Sequence, residues 1–236
     1  MSVPVRIVTL LVAFAAVVVG AVFLVLHTMV NQPPTVHFTA SGGVVNVMLQ
    51  EDPQNNTSSH PDWVSYYVQD PQSKKWVHTT LFSVPRNATV RVTIRGYDGC
   101  TPLRNNYWTQ VQGTAGNTMT VQQFKNTDQP LGQPATVSQI NSWAHCSVGH
   151  TFAIPGIHLF VPVASPNTTL FNKAGCGVSP CTSGPYSQES FTFKAPANAG
   201  NFRWQCFIPC GGGFIDGNGG PMQTIGYMMG EMEVTA

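Results

Sequence analysis

Residues 7 to 26 read IVTLLVAFAAVVVGAVFLVL, twenty positions with no charged side chain. At about 1.5 Å rise per residue such a helix spans a hydrocarbon core of about 30 Å. A cleaved signal peptide competes, but its apolar part runs about 7–15 residues and ends at a small-residue cleavage site. The run here is longer, and HTMVNQPP, which follows it, offers no such site. The expectation is therefore a single membrane anchor within residues 1–30. Arg6 is the one charge before the helix, which places the N-terminus in the cytoplasm by the positive-inside tendency. Residues 31–236 then form one domain outside the cytoplasm.

That domain is unusual in its surface chemistry. Asp, Glu, Lys and Arg make up 9% of the chain, against about 25% in ordinary soluble proteins. Net charge is +1 and aromatics are 10%, a combination that argues for a folded domain over a disordered one. Neutral amides and hydroxyls keep a surface hydrated where carboxylates are partly protonated, so an acidic exterior is one rationale. The near-zero charge gives no support for nucleic-acid binding.

The Pro pair of NQPP cannot continue the helix. Beyond it the pattern is short and alternating, with Gly, Pro and Asn between runs. TVHFTA and VVNVML flank Ser-Gly-Gly, which reads as a hairpin. In ATVRVTIRGY, Val90, Val92 and Ile94 share one face, and Arg91, Thr93 and Arg95 share the other. WVHTTLFSV, TMTVQQF, HTFAIP, HLFVPV, SFTFKA, NFRWQC and EMEVTA read as further strands. The whole predicts an all-β antiparallel sandwich or barrel. Residues 52–63 and 165–189 read as insertions.

All six cysteines lie after the anchor: Cys100, Cys146, Cys176, Cys181, Cys206 and Cys210. An even count outside the cytoplasm favours disulfides, with up to 15 pairings. Cys176 and Cys181, with four residues between them, suit a local staple, and Cys100 and Cys146 flank a region they could bridge. Sequons begin at Asn55, Asn56, Asn87 and Asn167 and are glycosylation candidates. The acids Asp70, Asp98 and Glu189 are scattered, with no nucleophile–base constellation. Gly211, Gly212 and Gly213 lack a following P-loop lysine and read as a turn.

Four stretches in order carry a resemblance: HTFAIP from His150, FTF from Phe191, FRWQCFIPCGGG from Phe202 and GYMMGEMEV from Gly226. The chain resembles the cupredoxin family, and within it the extracytoplasmic domain of haem-copper oxidase subunit II. The likeness covers the anchor and roughly residues 85–236. It implies a Greek-key sandwich behind a membrane helix, docked on the oxidase's catalytic subunit and other membrane subunits. It also implies copper in a dinuclear centre held by His150, Cys206, Cys210 and Met228, with the Ile208 carbonyl alongside and Met229 as a neighbour. Trp204, two residues before Cys206, is expected to pack inside the sandwich.

One ligand of that centre is missing. The second histidine should follow Cys210, but Phe214 stands there, or Ile225 counting back from Met228, and no histidine follows His158. Neither His145 nor His158 lies in the cysteine loop, and Cys146 is a further candidate ligand. Copper electron-transfer sites need imidazole as well as thiolate. Without metal, Cys206 and Cys210 would tend to form a disulfide. Three readings follow: a subunit II-like electron relay, a copper-free structural subunit of a quinol oxidase, or a free-standing anchored cupredoxin carrier.

Overall fold

The computed structural model describes residues 3–30, 32–54, 60, 62–99, 105–126, 129–140, 148–166, 176–210 and 220–236. The chain divides into two compact units, Met1–Gln32 and Pro33–Ala236. The first is one helix, α1 (Val3–Val30). Its stretch Val5–Val25 is long and apolar enough to cross a membrane, as an anchor or a signal sequence would be. At 21 residues it measures about 31 Å.

The second unit is two β-sheets. Its strands are β1 (Val36–His37), β2 (Val44–Asp52), β3 (Ser65–Gln69), β4 (Trp76–Val77), β5 (Leu81–Pro85), β6 (Thr89–Gly96) and β7 (Met119–Asn126). They continue with β8 (Gln129–Val137), β9 (Val148–Ile154), β10 (Leu159–Ala164), β11 (Tyr186–Lys194), β12 (Gly200–Gln205) and β13 (Met229–Thr235). One sheet has the order β1-β5-β13-β12-β9-β10, the other β4-β3-β2-β6-β11-β7-β8. Neighbours distant in sequence, such as β5 beside β13, make this a Greek-key sandwich of cupredoxin-like form.

The alternation that identifies β6 is what packs it. Val90, Val92 and Ile94 are fully buried while Arg91 is exposed. Trp204 anchors the interior as expected: its ring meets Phe152 at 4.9 Å and Tyr66 at 5.1 Å, and Nε1–H donates to the Thr80 carbonyl at 3.0 Å. Opposite Trp204 in the ladder stands Gly230, where a Cβ would run into the Thr80 carbonyl oxygen. Only glycine permits that approach. It lets Thr80 Oγ1 donate to the Met229 carbonyl at 2.6 Å.

The expected hairpin around Ser-Gly-Gly closes as a single antiparallel bridge, Ser41 with Val44, and its two flanking strands then part. β1 pairs with β5 in the first sheet, and β2 pairs with β6 in the second. Gly42 and Gly43, both at positive φ, therefore turn the chain across the sandwich. Two strands lie outside the alternating runs. β3 is buried at four of its five positions and shows no alternation. β8 contains Pro130 and Pro134, which an edge strand accepts because it has an unpaired side. The segment 165–189 includes the first residues of β11, so that strand begins earlier than SFTFKA indicates.

Candidate metal centre

β9 and the residue after β12 build the centre. β9 is buried along its full length, so the polar pair His150 and Thr151 is sealed from water. The Cys206 N–H donates to the Met228 carbonyl at 2.9 Å, which fixes where the cysteine loop leaves the sheet. From there Cys206 Sγ sits 3.8 Å from His150 Nδ1. The Thr151 N–H donates to the same sulfur at 3.4 Å, and Thr151 Oγ1 lies 3.8 Å from it. That hydroxyl oxygen also accepts the Phe207 N–H at 2.8 Å, so one threonine holds both sides of the loop's first turn.

Cys210 Sγ completes the group. The donor atoms of His150, Cys206 and Cys210 all lie within 4.8 Å of one another, and all three residues are buried. The sulfurs are not bonded to each other. The Ile208 carbonyl oxygen accepts from Cys210 Sγ at 2.9 Å and lies 3.4 Å from Cys206 Sγ. Three segments separated along the sequence, those of His150, of Cys206 and Cys210, and of Met228, thus meet at one pole of the sandwich. Met228 is fully buried in the same apolar cluster as Cys206 and Cys210, its backbone paired with Cys206 and with Pro221.

The electrostatics are those of a proton shared between imidazole and thiol. Burial alone would raise the Cys206 thiol, but Cys210 and His150 outweigh it and hold Cys206 well below the usual range. Burial pushes Cys210 well up, and the adjacent Cys206 adds to that. Burial would lower His150, yet Glu51, Asp98 and the two sulfurs reverse the direction and raise it well above its ordinary value. One thiolate is therefore favoured beside one neutral thiol. The fully buried Tyr66 hydroxyl has no hydrogen-bond partner among the described residues; burial, then the Cys206 charge, push it well above the usual phenol value.

Two residues at this pole are not legible from spacing. Glu51 at the end of β2 and Asp98 just past β6 both face His150: Asp98 Oδ2 is 3.1 Å and Glu51 Oε1 3.3 Å from Nε2. Asp98 is thus not one of a scatter of unrelated acids. Asp70 and Glu189 stand apart, the first accepting from the Ser73 N–H at 2.6 Å, the second from the Ala164 N–H at 3.1 Å. No marker in the sequence announces the pair at His150. The nearest signal is a Gln-Glu-Asp run ending an otherwise apolar strand.

The remaining candidates fall as follows. Cys176 and Cys181 form a disulfide with Cα atoms 5.0 Å apart. Asn87 is exposed in the turn between β5 and β6. His158 is exposed at the turn after β9, in the left-handed region at φ 54°, away from the sulfurs. Ile225 bridges to Met229. Cys100, Cys146, His145, Phe214, Gly211–Gly213, Asn55, Asn56 and Asn167 lie outside the described residues.

No family model and no curated protein matches the chain. Among solved structures it is similar to reduced rusticyanin, with 20% identity, 84% of each chain covered and a TM-score of 0.30. Rusticyanin from Thiobacillus ferrooxidans overlaps at 18% identity over 84% of this chain and 82% of that one, TM-score 0.30. A point variant of rusticyanin overlaps at 19% over 89% and 91%, TM-score 0.31. Another of these structures is described as the copper protein rusticyanin. Overlaps this shallow leave the fold class to rest on the sheet order described above.

Proposed function

We propose that this chain is a membrane-anchored, cupredoxin-like electron-transfer protein whose centre takes copper. The observation that carries the reading is the imidazole nitrogen and two unbonded sulfurs gathered within 4.8 Å at one buried pole. The donors fit such an ion. A tetrahedral centre with a metal–nitrogen distance of about 2.0 Å and a metal–sulfur distance of about 2.3 Å separates N from S by roughly 3.5 Å, close to the observed 3.8 Å. Thiolate and imidazole are the pair that copper electron-transfer sites use. His150, Cys206 and Cys210 would hold the ion, with Met228 as a further candidate donor, and bound copper would supply one-electron redox chemistry.

The chain's own residues do the rest. Thr151 directs its N–H at the Cys206 sulfur, drawing charge off it. The buried strand β9 keeps water from the donors, and Trp204 and Phe152 stiffen the floor beneath them. A rigid, dry site changes little between oxidation states. With no histidine after His158, the donor set suits a single ion better than a dinuclear pair.

In the finer reading the protein is a subunit II-like component of a haem-copper oxidase, docking on the catalytic subunit, which holds the haem and the oxygen chemistry. The order of motifs from His150 to Met228 supports this. A free-standing anchored carrier is the alternative. The closeness of the two sulfurs supports a third state, a copper-free structural subunit with a Cys206–Cys210 disulfide. Metal analysis and a visible spectrum of the detergent-purified protein test the centre: about one copper per chain with a sulfur-to-copper band is expected. Absence of copper together with a native Cys206–Cys210 disulfide by non-reducing mass spectrometry would overturn it. Co-purification with a haem-bearing membrane protein separates the subunit from the carrier.

A further inference from the structure

We propose that Glu51 and Asp98 are positioning residues that clamp His150 in the orientation and tautomer that turn Nδ1 toward the two sulfurs. The proposal rests on the reading of the sulfur–imidazole group as a metal centre. Its geometry comes from the opposite side of the ring. Nε2 stands 3.1 Å from Asp98 Oδ2 and 3.3 Å from Glu51 Oε1. A carboxylate oxygen only accepts. A bare nitrogen lone pair at Nε2 would set three acceptors against one another in a buried space, so Nε2 carries a hydrogen. In the neutral ring that leaves the lone pair at Nδ1, the atom 3.8 Å from Cys206 Sγ.

Each carboxylate is itself held. Glu51 Oε2 accepts the Asp98 N–H at 3.2 Å, and Asp98 Oδ1 accepts the Gly99 N–H at 2.6 Å. One oxygen of each is thereby tied to backbone, and the other is left for the imidazole. Glu51 Oε1 is buried and makes no hydrogen bond of good geometry to any other group among the described residues. His150 Nε2 lies 3.3 Å from it, which gives that oxygen a role. Glu51 comes from β2 and Asp98 from just past β6, parallel neighbours in one sheet with Glu51 opposite Gly96, whereas His150 belongs to the other sheet. The clamp therefore joins the sheets at the pole where the cysteine loop closes. A flipped ring would lose both acceptors and present a C–H to the sulfurs. Buried carboxylates behind a ligating histidine fix its tautomer and raise its basicity, and removing one commonly lowers metal affinity 10–100-fold.

The test uses the full chain in mild detergent, loaded with Cu(I) or Zn(II), both diamagnetic. Long-range nitrogen–proton NMR reads the His150 ring, and competition against a chelator reads affinity. Expected are a proton on Nε2, metal on Nδ1, and affinity lower by about 10–100-fold in E51A and in D98A. E51Q and D98N keep an accepting oxygen and recover part of the loss; they also serve if the alanine variants fail to fold. Unchanged affinity and ring signals in E51A/D98A overturn the clamp. So does a second metal on Nε2, lost in E51Q, which would make the carboxylates ligands. If the wild-type chain takes up neither ion, the metal centre fails. The Nε2–H signal of the metal-free chain then decides the clamp alone: present and lost in D98A it stands, absent it falls.

Discussion

Two cysteine pairs sit on either side of one strand end, and they have opposite fates. Cys206 and Cys210, with three residues between them, remain separate thiols, whereas Cys176 and Cys181, with four between them, are joined. Spacing does not decide this; hydrogen bonding does. Cys206 Sγ receives the Thr151 N–H and faces an imidazole, with the Ile208 carbonyl beside both sulfurs. The other pair lies in a loop docked by its backbone: the Cys181 N–H donates to Asp52 at 2.9 Å, and Gln50 Nε2 donates to the Cys181 carbonyl at 2.9 Å. Successive residues of a strand point to opposite faces. Gln50 and Asp52 thus serve the disulfide loop while Glu51, between them, serves His150. The end of β2 holds a staple on one face and a candidate redox centre on the other.

The sharpest way to break that contrast is to exchange the sulfurs' roles. C206A should abolish tight copper uptake, by 100-fold or more in a chelator competition, because the ion loses the one thiol already held as thiolate. C181S should leave uptake within about two-fold, since its loop touches the other face of β2. Equal losses in both would mean that the two pairs form one metal-dependent unit.

A second contrast concerns acids. His150 faces two acids: Asp98, which it holds below the usual carboxylate range, and Glu51, which burial raises even so; Asp52 and Glu189 are buried with neutral donors. Burial lifts Asp52 to about 7 and Glu189 to about 8. Both folded values exceed the unfolded ones, so between about pH 4 and pH 8 the folded chain binds more protons than the unfolded chain. The stability these groups contribute is complete below about pH 4 and is lost as pH rises through about 7 and then about 8. Urea midpoints should fall across that window, with a ceiling near 1.4 kcal/mol per pH unit for each group. E189Q should flatten the upper part of the curve. Stability that rises from pH 5 to 8 would remove the premise. The direction suits an acidic medium, the setting that the scarcity of ionisable side chains also suits.

How much of this could be read from residues alone follows a physical line. β6 was legible because one of its faces is wet, so its side chains alternate. β3 and β9, buried on both faces, carry no such pattern; β9 was found through its HTFAIP motif instead. β8 was hidden by its prolines. The meeting of His150 with sulfurs 56 and 60 residues later was legible through motif order. The carboxylates behind the ring were not. Their place depends on β2 running parallel to β6, a pairing between distant strands that local alternation does not specify.

Two smaller effects sharpen the comparison further. Removing the staple with C176S/C181S should cost about 2 kcal/mol in urea unfolding, the loop-closure entropy of so short a span. A loss well above that would mean that the loop also seals Asp52 and Gln50 from water, and that their hydration adds to the penalty.

The smallest effect belongs to Tyr66. Its ring packs edge-on against Trp204, and its hydroxyl is buried without a hydrogen-bond partner among the described residues. An unsatisfied buried polar atom costs about 1–3 kcal/mol. Y66F retains the ring and removes that cost, so the metal-free chain should gain on the order of 1 kcal/mol. In the copper-loaded chain the same substitution reports on the centre. If the hydroxyl donates to a ligand sulfur once metal is bound, Y66F should shift the sulfur-to-copper band and the gain should shrink. If the band stays fixed and the gain is equal in both states, Tyr66 is packing alone. The electrostatic boundary of the centre then falls at His150, Thr151 and the two sulfurs.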